Sequence, residues 1–62
     1  MNDFLRKQCK ELKCFQGVSY GEIAGYLEVK PKSFYNWLHG YYNLSEAKQS
    51  RLYEIIHNIK EE

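Results

Sequence analysis

The chain is short of most of the residues that announce a chemistry. Its 62 residues include two cysteines, two histidines, one proline and one tryptophan. Neither sign of charge dominates: nine Lys/Arg stand against eight Asp/Glu, a net charge of +1. No apolar run approaches the ~18 residues that a membrane-spanning helix needs, so no membrane partner is expected. The N-terminal stretch M-N-D-F-L-R-K-Q-C-K has no apolar centre of the kind a signal peptide carries, and a cytoplasmic protein is expected. On a helix, Cys9 and Cys14 would stand about 140° apart, a poor geometry for a bridge, so both are read as reduced structural thiols. No metal-ligand spacing is present, and no cofactor is expected.

Catalysis finds equally little support. There is no nucleophile beside a base, no paired-carboxylate setting and no glycine-rich phosphate loop. Short helices also leave little room for a pocket of ~300–1,000 Å³, so the chain is not read as an enzyme. The near-neutral charge is a weak footprint for nucleic acid. Its distribution is uneven, however: residues 1–43 hold six Lys/Arg against four Asp/Glu, and residues 44–62 hold three against four. A local basic surface is compatible with that split.

What the chain does have is aromatic side chains and helical apolar spacing. Six Tyr, three Phe and one Trp can each bury ~150–250 Å², which matters in a single domain near the lower size limit for folding without disulfides or metals. Residues 3–16 read as an amphipathic helix capped by Asn2 or Asp3, with Leu5, Gln8, Leu12 and Phe15 on one side and Phe4 and Cys9 at its edges. Arg6, Lys10 and Lys13 line the other side, either as a solvated face or as phosphate contacts. Near the C-terminus, Leu52, Ile55, Ile56 and Ile59 form a helical stripe that Leu44 and Ala47 extend. Ser45 is its expected cap, and the helix should run to about residue 60, with His57 on its solvated side.

Between these segments lies the most organised stretch, residues 17–40. Ser19 and Glu22 have the spacing of a capping box, with Val18 and Ile23 as its hydrophobic staple. Ile23, Ala24 and Leu27 follow as an apolar face. Pro31 suits the first position of a second helix, and Phe34, Trp37 and Leu38 lie on one side of it. Lys32, Asn36 and His39 lie on the other, with Ser33 and Tyr35 on the flanks. Gly40 stands where a helix commonly ends in a left-handed residue.

This stretch resembles the helix-turn-helix of the phage repressor and Cro family, often called XRE-like. Glu22, Ile23, Ala24, Leu27, Val29, Ser33, Phe34, Trp37 and Gly40 match the family's pattern in register and without a gap. Two positions depart from it. Glu28 replaces the usual turn glycine and must either adopt a left-handed conformation or imply a reshaped turn. Lys30 replaces the usual Ser/Thr cap, so the second helix should lack a side-chain cap bond.

The resemblance implies an all-α, lambda-repressor-like bundle of four or five short helices spanning residues 1–62, with its helix-turn-helix at 19–40. It implies a small transcriptional regulator that binds double-stranded DNA, with residues 31–39 in the major groove. Base contacts then fall on Lys32, Ser33 and Asn36. Asn can pair bidentately with adenine and Lys with guanine. Tyr35 projects from the same side and could meet a thymine methyl or a sugar. Phosphate contacts fall on Tyr20, Lys30, His39, Tyr41, Tyr42 and Asn43. Tyr20 is equally readable as a surface ring packed on the Lys30 stem, and one of Tyr41 and Tyr42 is expected to be core. Trp37 should be core; Leu38 lies on the same apolar face, but the family usually has Glu there, so burial and exposure both stay open for it. A homodimer on near-palindromic sites is implied, with apolar residues near Leu44 and the end of the last helix as its surface. The rival reading is a helix-turn-helix reused as a protein-interaction module, such as a small phage-type effector that binds a host protein. Near-neutral charge and a tyrosine-bearing loop favour it, as would exposure of Leu38.

Overall fold

The computed structural model describes residues 1–61 and places them in four α-helices: α1 (Asn2–Gln16), α2 (Tyr20–Leu27), α3 (Pro31–Leu38) and α4 (Glu46–Glu61). Among the described residues there is no strand. α1 packs against α4, α2 packs against α1, α3 and α4, and one continuous core lies between them.

The apolar stripes account for that core with three adjustments. In α1 the buried line is Leu5, Cys9 and Leu12, while Phe15 is 80% exposed and Phe4 50% exposed. At about 100° per residue Phe15 stands roughly 90° from the Leu5–Cys9–Leu12 axis, so its expected place on the buried side goes to Cys9, while Phe4 stays at the edge as expected. In α4, Leu52, Ile55 and Ile56 are buried and Ile59 is partly buried, but Ala47 is exposed. Ala47 lies about 140° around the helix from Leu52, beyond the reach of the stripe. Leu38, left open between core and surface, is buried together with Phe34 and Trp37. Those three positions at i, i+3 and i+4 form a single apolar face, and that spacing decides the matter.

Each short helix ends in a recognisable way. α2 opens on Ser19, whose Oγ accepts a hydrogen bond from the Glu22 backbone N–H at 3.1 Å. It closes on Glu28, which is left-handed at φ 62°, ψ 40°. The Val29 N–H donates to the Ala24 carbonyl and the Glu28 N–H to the Gly25 carbonyl, the paired bonds of a Schellman ending. Val29 folds back onto the core, supplying the hydrophobic contact of that motif. The Lys48 ammonium adds a further bond to the Leu27 carbonyl at 3.2 Å. The turn is therefore not reshaped; a non-glycine residue simply occupies its left-handed position. α3 ends with the same pair of bonds, Tyr41 N–H to the Asn36 carbonyl and Gly40 N–H to the Trp37 carbonyl, with Gly40 at φ 87°. At the start of α3, Lys30 makes no side-chain cap bond, as expected, and Pro31 supplies the preset first position.

The start of α1 differs from expectation. Its cap residue is Met1, without a side-chain bond, so neither Asn2 nor Asp3 caps the helix. Asn2 instead turns its Oδ1 inward, where it accepts from the Trp37 indole N–H and from the Leu44 backbone N–H, both at 2.9 Å. An indole enclosed in a core must find an acceptor, and that requirement outweighs one frayed turn. α4 begins as expected, with Ser45 Oγ accepting from the Lys48 N–H at 3.3 Å. It runs to Glu61, where the exposed His57 lies 3.6 Å from the Glu61 carboxylate.

Cys9 and Cys14 are unpaired, and their environments diverge. Burial pushes the Cys9 thiol from its ordinary 9.0 up to about 12. Cys14 is exposed, so the expectation of two structural thiols holds for Cys9 alone.

These local features are testable by three measurements. Glu28→Gly should raise the urea midpoint, stabilising the fold by roughly 0.5–1 kcal/mol. Relief of the left-handed strain exceeds the added flexibility of the unfolded chain; a lower midpoint would show that the Glu28 side chain contributes to stability. A thiol reagent at pH 8 should modify Cys14 rapidly and Cys9 only under unfolding conditions. Because the Cys9 value is raised in the folded state, its contribution to stability is complete below pH 9 and is lost as pH climbs towards 12. Urea titrations at pH 8 and pH 10.5 should show this loss, and Cys9→Ala should reduce it.

Candidate functional site

The residues singled out from the sequence converge on the outer side of α3 and on the two segments that flank it. Phe34, Trp37 and Leu38 are buried, which leaves Lys32, Tyr35 and His39 exposed and Ser33 and Asn36 half-buried beside them. Lys30 is exposed at the mouth of the helix. Two lysines, an amide, a hydroxyl and aromatic rings therefore share one small surface.

The rings form a row. Tyr20, at the start of α2, meets Tyr35 edge-on, with centroids 5.6 Å apart and planes at 88°. Tyr35 is followed by His39 at 6.3 Å and His39 by Tyr41 at 6.4 Å. Beneath this row, Tyr20 also contacts Phe34 at 6.0 Å, and Phe34 contacts Trp37 at 5.4 Å, so the surface rings continue into the core. A cation lies beside Tyr20: the Lys13 ammonium is 4.5 Å from the ring centroid. Burial holds the Tyr20 phenol above its ordinary range, with smaller contributions from Cys9, Tyr35 and Cys14. Tyr20 is thus a neutral hydroxyl at the N-terminus of a helix, one turn from α3.

The loop after α3 is tied down by Arg6. Its Nε donates to the Trp37 carbonyl at 2.7 Å, and Nη2 donates to the Tyr42 carbonyl at 2.8 Å and to Asn43 Oδ1 at 3.1 Å. Nη1 donates to the Asp3 carboxylate at 2.8 Å, and the guanidinium carbon lies 5.2 Å from the Trp37 ring centroid. Only 12% of the Arg6 side chain is exposed. Arg6 therefore belongs neither to a solvated basic stripe nor to a set of free phosphate contacts; only Lys10 and Lys13 of that line remain exposed. The geometry suits arginine, whose planar fork can serve several carbonyl acceptors while its face lies on an aromatic ring.

Neither loop tyrosine is core. Tyr41 is 76% exposed and Tyr42 40%. The core position after α3 is taken by Leu44, whose N–H is held by Asn2, so the two rings preceding it are left outside. The Tyr42 hydroxyl donates to the Ser33 carbonyl at 2.8 Å, bracing the loop against the first turn of α3. To reach a phosphate it would have to release that bond. The Asn43 amide oxygen accepts from Arg6, and among the described residues its amide nitrogen has no hydrogen-bond partner.

Sequence reasoning missed Arg6 and Asn2 as the anchors of this surface. Their partners lie more than thirty positions away, and short-range spacing carries no signal for such contacts. Among the described residues, no group of three or more His, Cys, Asp or Glu side chains converges in a way that could hold a metal ion. No described helix is long and apolar enough to cross a membrane. Compared with protein-family models, curated proteins and solved structures, the chain matches none.

Asn2→Ala should leave the Trp37 indole N–H and the Leu44 N–H without an acceptor. Urea unfolding followed by Trp37 fluorescence should show a loss of roughly 1–3 kcal/mol. A loss within experimental error would mean that water replaces the amide at no cost.

Proposed function

We propose that this protein is a small transcriptional regulator that binds double-stranded DNA in a sequence-specific manner, as the phage repressor and Cro family does. The observation that carries the reading is the division of α3: three large apolar residues are buried, and Lys32, Tyr35 and Asn36, with His39 at the helix end, are turned outward or half-outward. An isolated polar face on a short helix, backed by a rigid core, is what a major groove admits. The three-residue connection from α2 to α3, closed by Glu28 in the left-handed conformation, supports the helix-turn-helix reading.

In this reading Asn36 pairs with an adenine edge, Lys32 with a guanine edge or a phosphate, and Ser33 with either. Tyr20, Lys30, His39, Tyr41 and Asn43 flank the helix at positions suited to backbone phosphates, and phenol and amide donors reach phosphate without adding charge. A homodimer on an inverted repeat, with half-sites about one helical turn apart, completes the proposal. Leu44 is buried and so leaves the set of candidate dimer residues, while Ile59, near the end of α4, is only partly buried and stays in it. The cytoplasm is the setting that such a regulator requires.

One observation favours the second reading, a protein-interaction module. Arg6 is consumed internally, and the exposed surface beside α3 is richer in aromatic rings than in free cations. Tyrosine and asparagine side chains supply rigid, amphipathic contact area in protein interfaces. The two readings part on salt: affinity carried by several phosphates falls steeply as salt rises, whereas a tyrosine-rich protein contact need not respond.

Selection of bound duplexes from a random pool at moderate salt should enrich an inverted repeat. On that site Asn36→Ala should cost roughly 1–3 kcal/mol and relax base choice at one position per half-site. Equal weakening on all sequences would reassign Asn36 to the backbone, and no enrichment would favour the protein-interaction reading.

A further inference from the structure

We infer that the row of rings from Tyr20 to Tyr41 is a stacking platform for unpaired bases, and that the chain binds single-stranded nucleic acid there. The inference goes beyond the duplex reading and does not depend on it. It rests on the ring row and the charge around it, and holds whether or not α3 enters a groove.

The row is not the outward face of α3. It begins on α2 at Tyr20, passes along the flank of α3 at Tyr35, and leaves at the helix end through His39 to Tyr41 in the following loop. Its outer members are open. Tyr35 leaves 43% of its surface exposed and Tyr41 76%, although each has rings beside it. The row is also rigid before any ligand arrives. Tyr35 is braced edge-on by Tyr20, which itself packs on the buried Phe34. The Tyr41 backbone N–H donates to the Asn36 carbonyl at 3.0 Å, and the Arg6 guanidinium holds the next two residues. Groups ordered in the free protein surrender little further entropy on binding.

Charge selects the class of ligand. The segments that carry the row, residues 12–21 and 29–45, contain three lysines, Lys13, Lys30 and Lys32, and no Asp or Glu. Glu22 and Glu28 fall between the two segments. All three lysines are exposed, and the Lys13 ammonium lies 4.5 Å from the Tyr20 ring. The ligand is therefore an anion that also offers flat apolar faces. An acidic protein segment supplies the charge but not the faces. A nucleic-acid strand supplies both: its phosphates answer the lysines, and every base has a π-face to set on a ring. Pairing decides between its two forms. In a duplex, neighbouring base pairs cover each other's faces and only the edges look into the grooves, so exposed rings find no counterpart. A single strand presents those faces. Stacking of this kind tolerates many sequences, in contrast to edge reading by Asn36 and Lys32.

The test is fluorescence anisotropy at moderate salt with a labelled, mixed-sequence strand of roughly twelve nucleotides. Two further probes are the same strand annealed to its complement and a strand of equal length with abasic sites throughout, which keeps the phosphates and removes every face. The single strand should bind, and the abasic strand should bind at least fivefold more weakly. Tyr41→Ala should weaken binding of the single strand by roughly fivefold or more, the scale of one stacked base, while Tyr41→Phe, which keeps the ring, should match the wild type. Circular dichroism and an unchanged urea midpoint establish that both variants are folded. Equal binding of the abasic strand would reduce the contact to charge and overturn the inference. So would full affinity in Tyr41→Ala, or an equal loss in both variants, which would assign the Tyr41 hydroxyl to a phosphate. Binding of the duplex alone overturns the inference and leaves the duplex-binding regulator standing. Binding of none of the three probes overturns it as well, and selection from the random duplex pool then decides the duplex reading separately.

Discussion

Trp37 is held at both ends, and the surface around α3 depends on that arrangement. Its indole N–H is bound by Asn2, its carbonyl by Arg6, and its ring lies fully buried with the guanidinium over it. Asn2 and Arg6 are one turn apart on α1, so a single helix turn fixes both the depth and the axial position of α3. Leu44 is drawn in by the same Asn2 amide, and the Tyr42 and Asn43 segment is held by the same guanidinium. Among the described residues, no buried side-chain nitrogen or oxygen lacks a hydrogen-bond partner. For a chain of this size, where each kilocalorie is a large fraction of net stability, such economy is needed.

The same anchoring explains the character of the exposed face. A cation that stabilises a loop by bonding to carbonyls is unavailable to a ligand, and Arg6 is spent in this way. What remains outward is a row of rings with lysines at its edges, Lys13 beside Tyr20 and Lys32 on α3. On the proposed reading, such a surface gains its selectivity from shape, amide hydrogen bonds and apolar contact more than from charge. The near-neutral composition of the chain is consistent with that balance.

Most of the helical framework was legible in the sequence because it is written in local terms. Ser19, Ser45 and Pro31 mark three helix starts, and Gly17, Glu28 and Gly40 occupy left-handed positions at or just after helix ends. The stripes from Ile23 to Leu27 and from Leu52 to Ile56 are short-range patterns too. The errors share a different origin. Asn2 was read as a local cap because spacing cannot reveal a buried indole thirty-five positions away. Arg6 was read as part of a basic stripe for the same reason. For Leu38 the family comparison and the residue's own spacing with Phe34 point in opposite directions, and the spacing is what the fold follows. Phe15 and Ala47 were assigned inward from hydrophobicity rather than from angle. The outward side chains of α3 were visible in advance, but the ring row joining Tyr20, Tyr35, His39 and Tyr41 was not, since it requires α2, α3 and the following loop to be placed together.

On the proposed reading, the outer side of α3 binds duplex DNA. The most direct measurement is a titration of the ¹⁵N-labelled protein with short duplex DNA at low and moderate salt, followed amide by amide. DNA binding should give shifts concentrated in residues 31–39, at Ser19 and Tyr20, and in residues 41–43, with the outer face of α4 unaffected and the effect diminishing as salt rises. Shifts centred on α1 or α4, or none at either salt concentration, would contradict it.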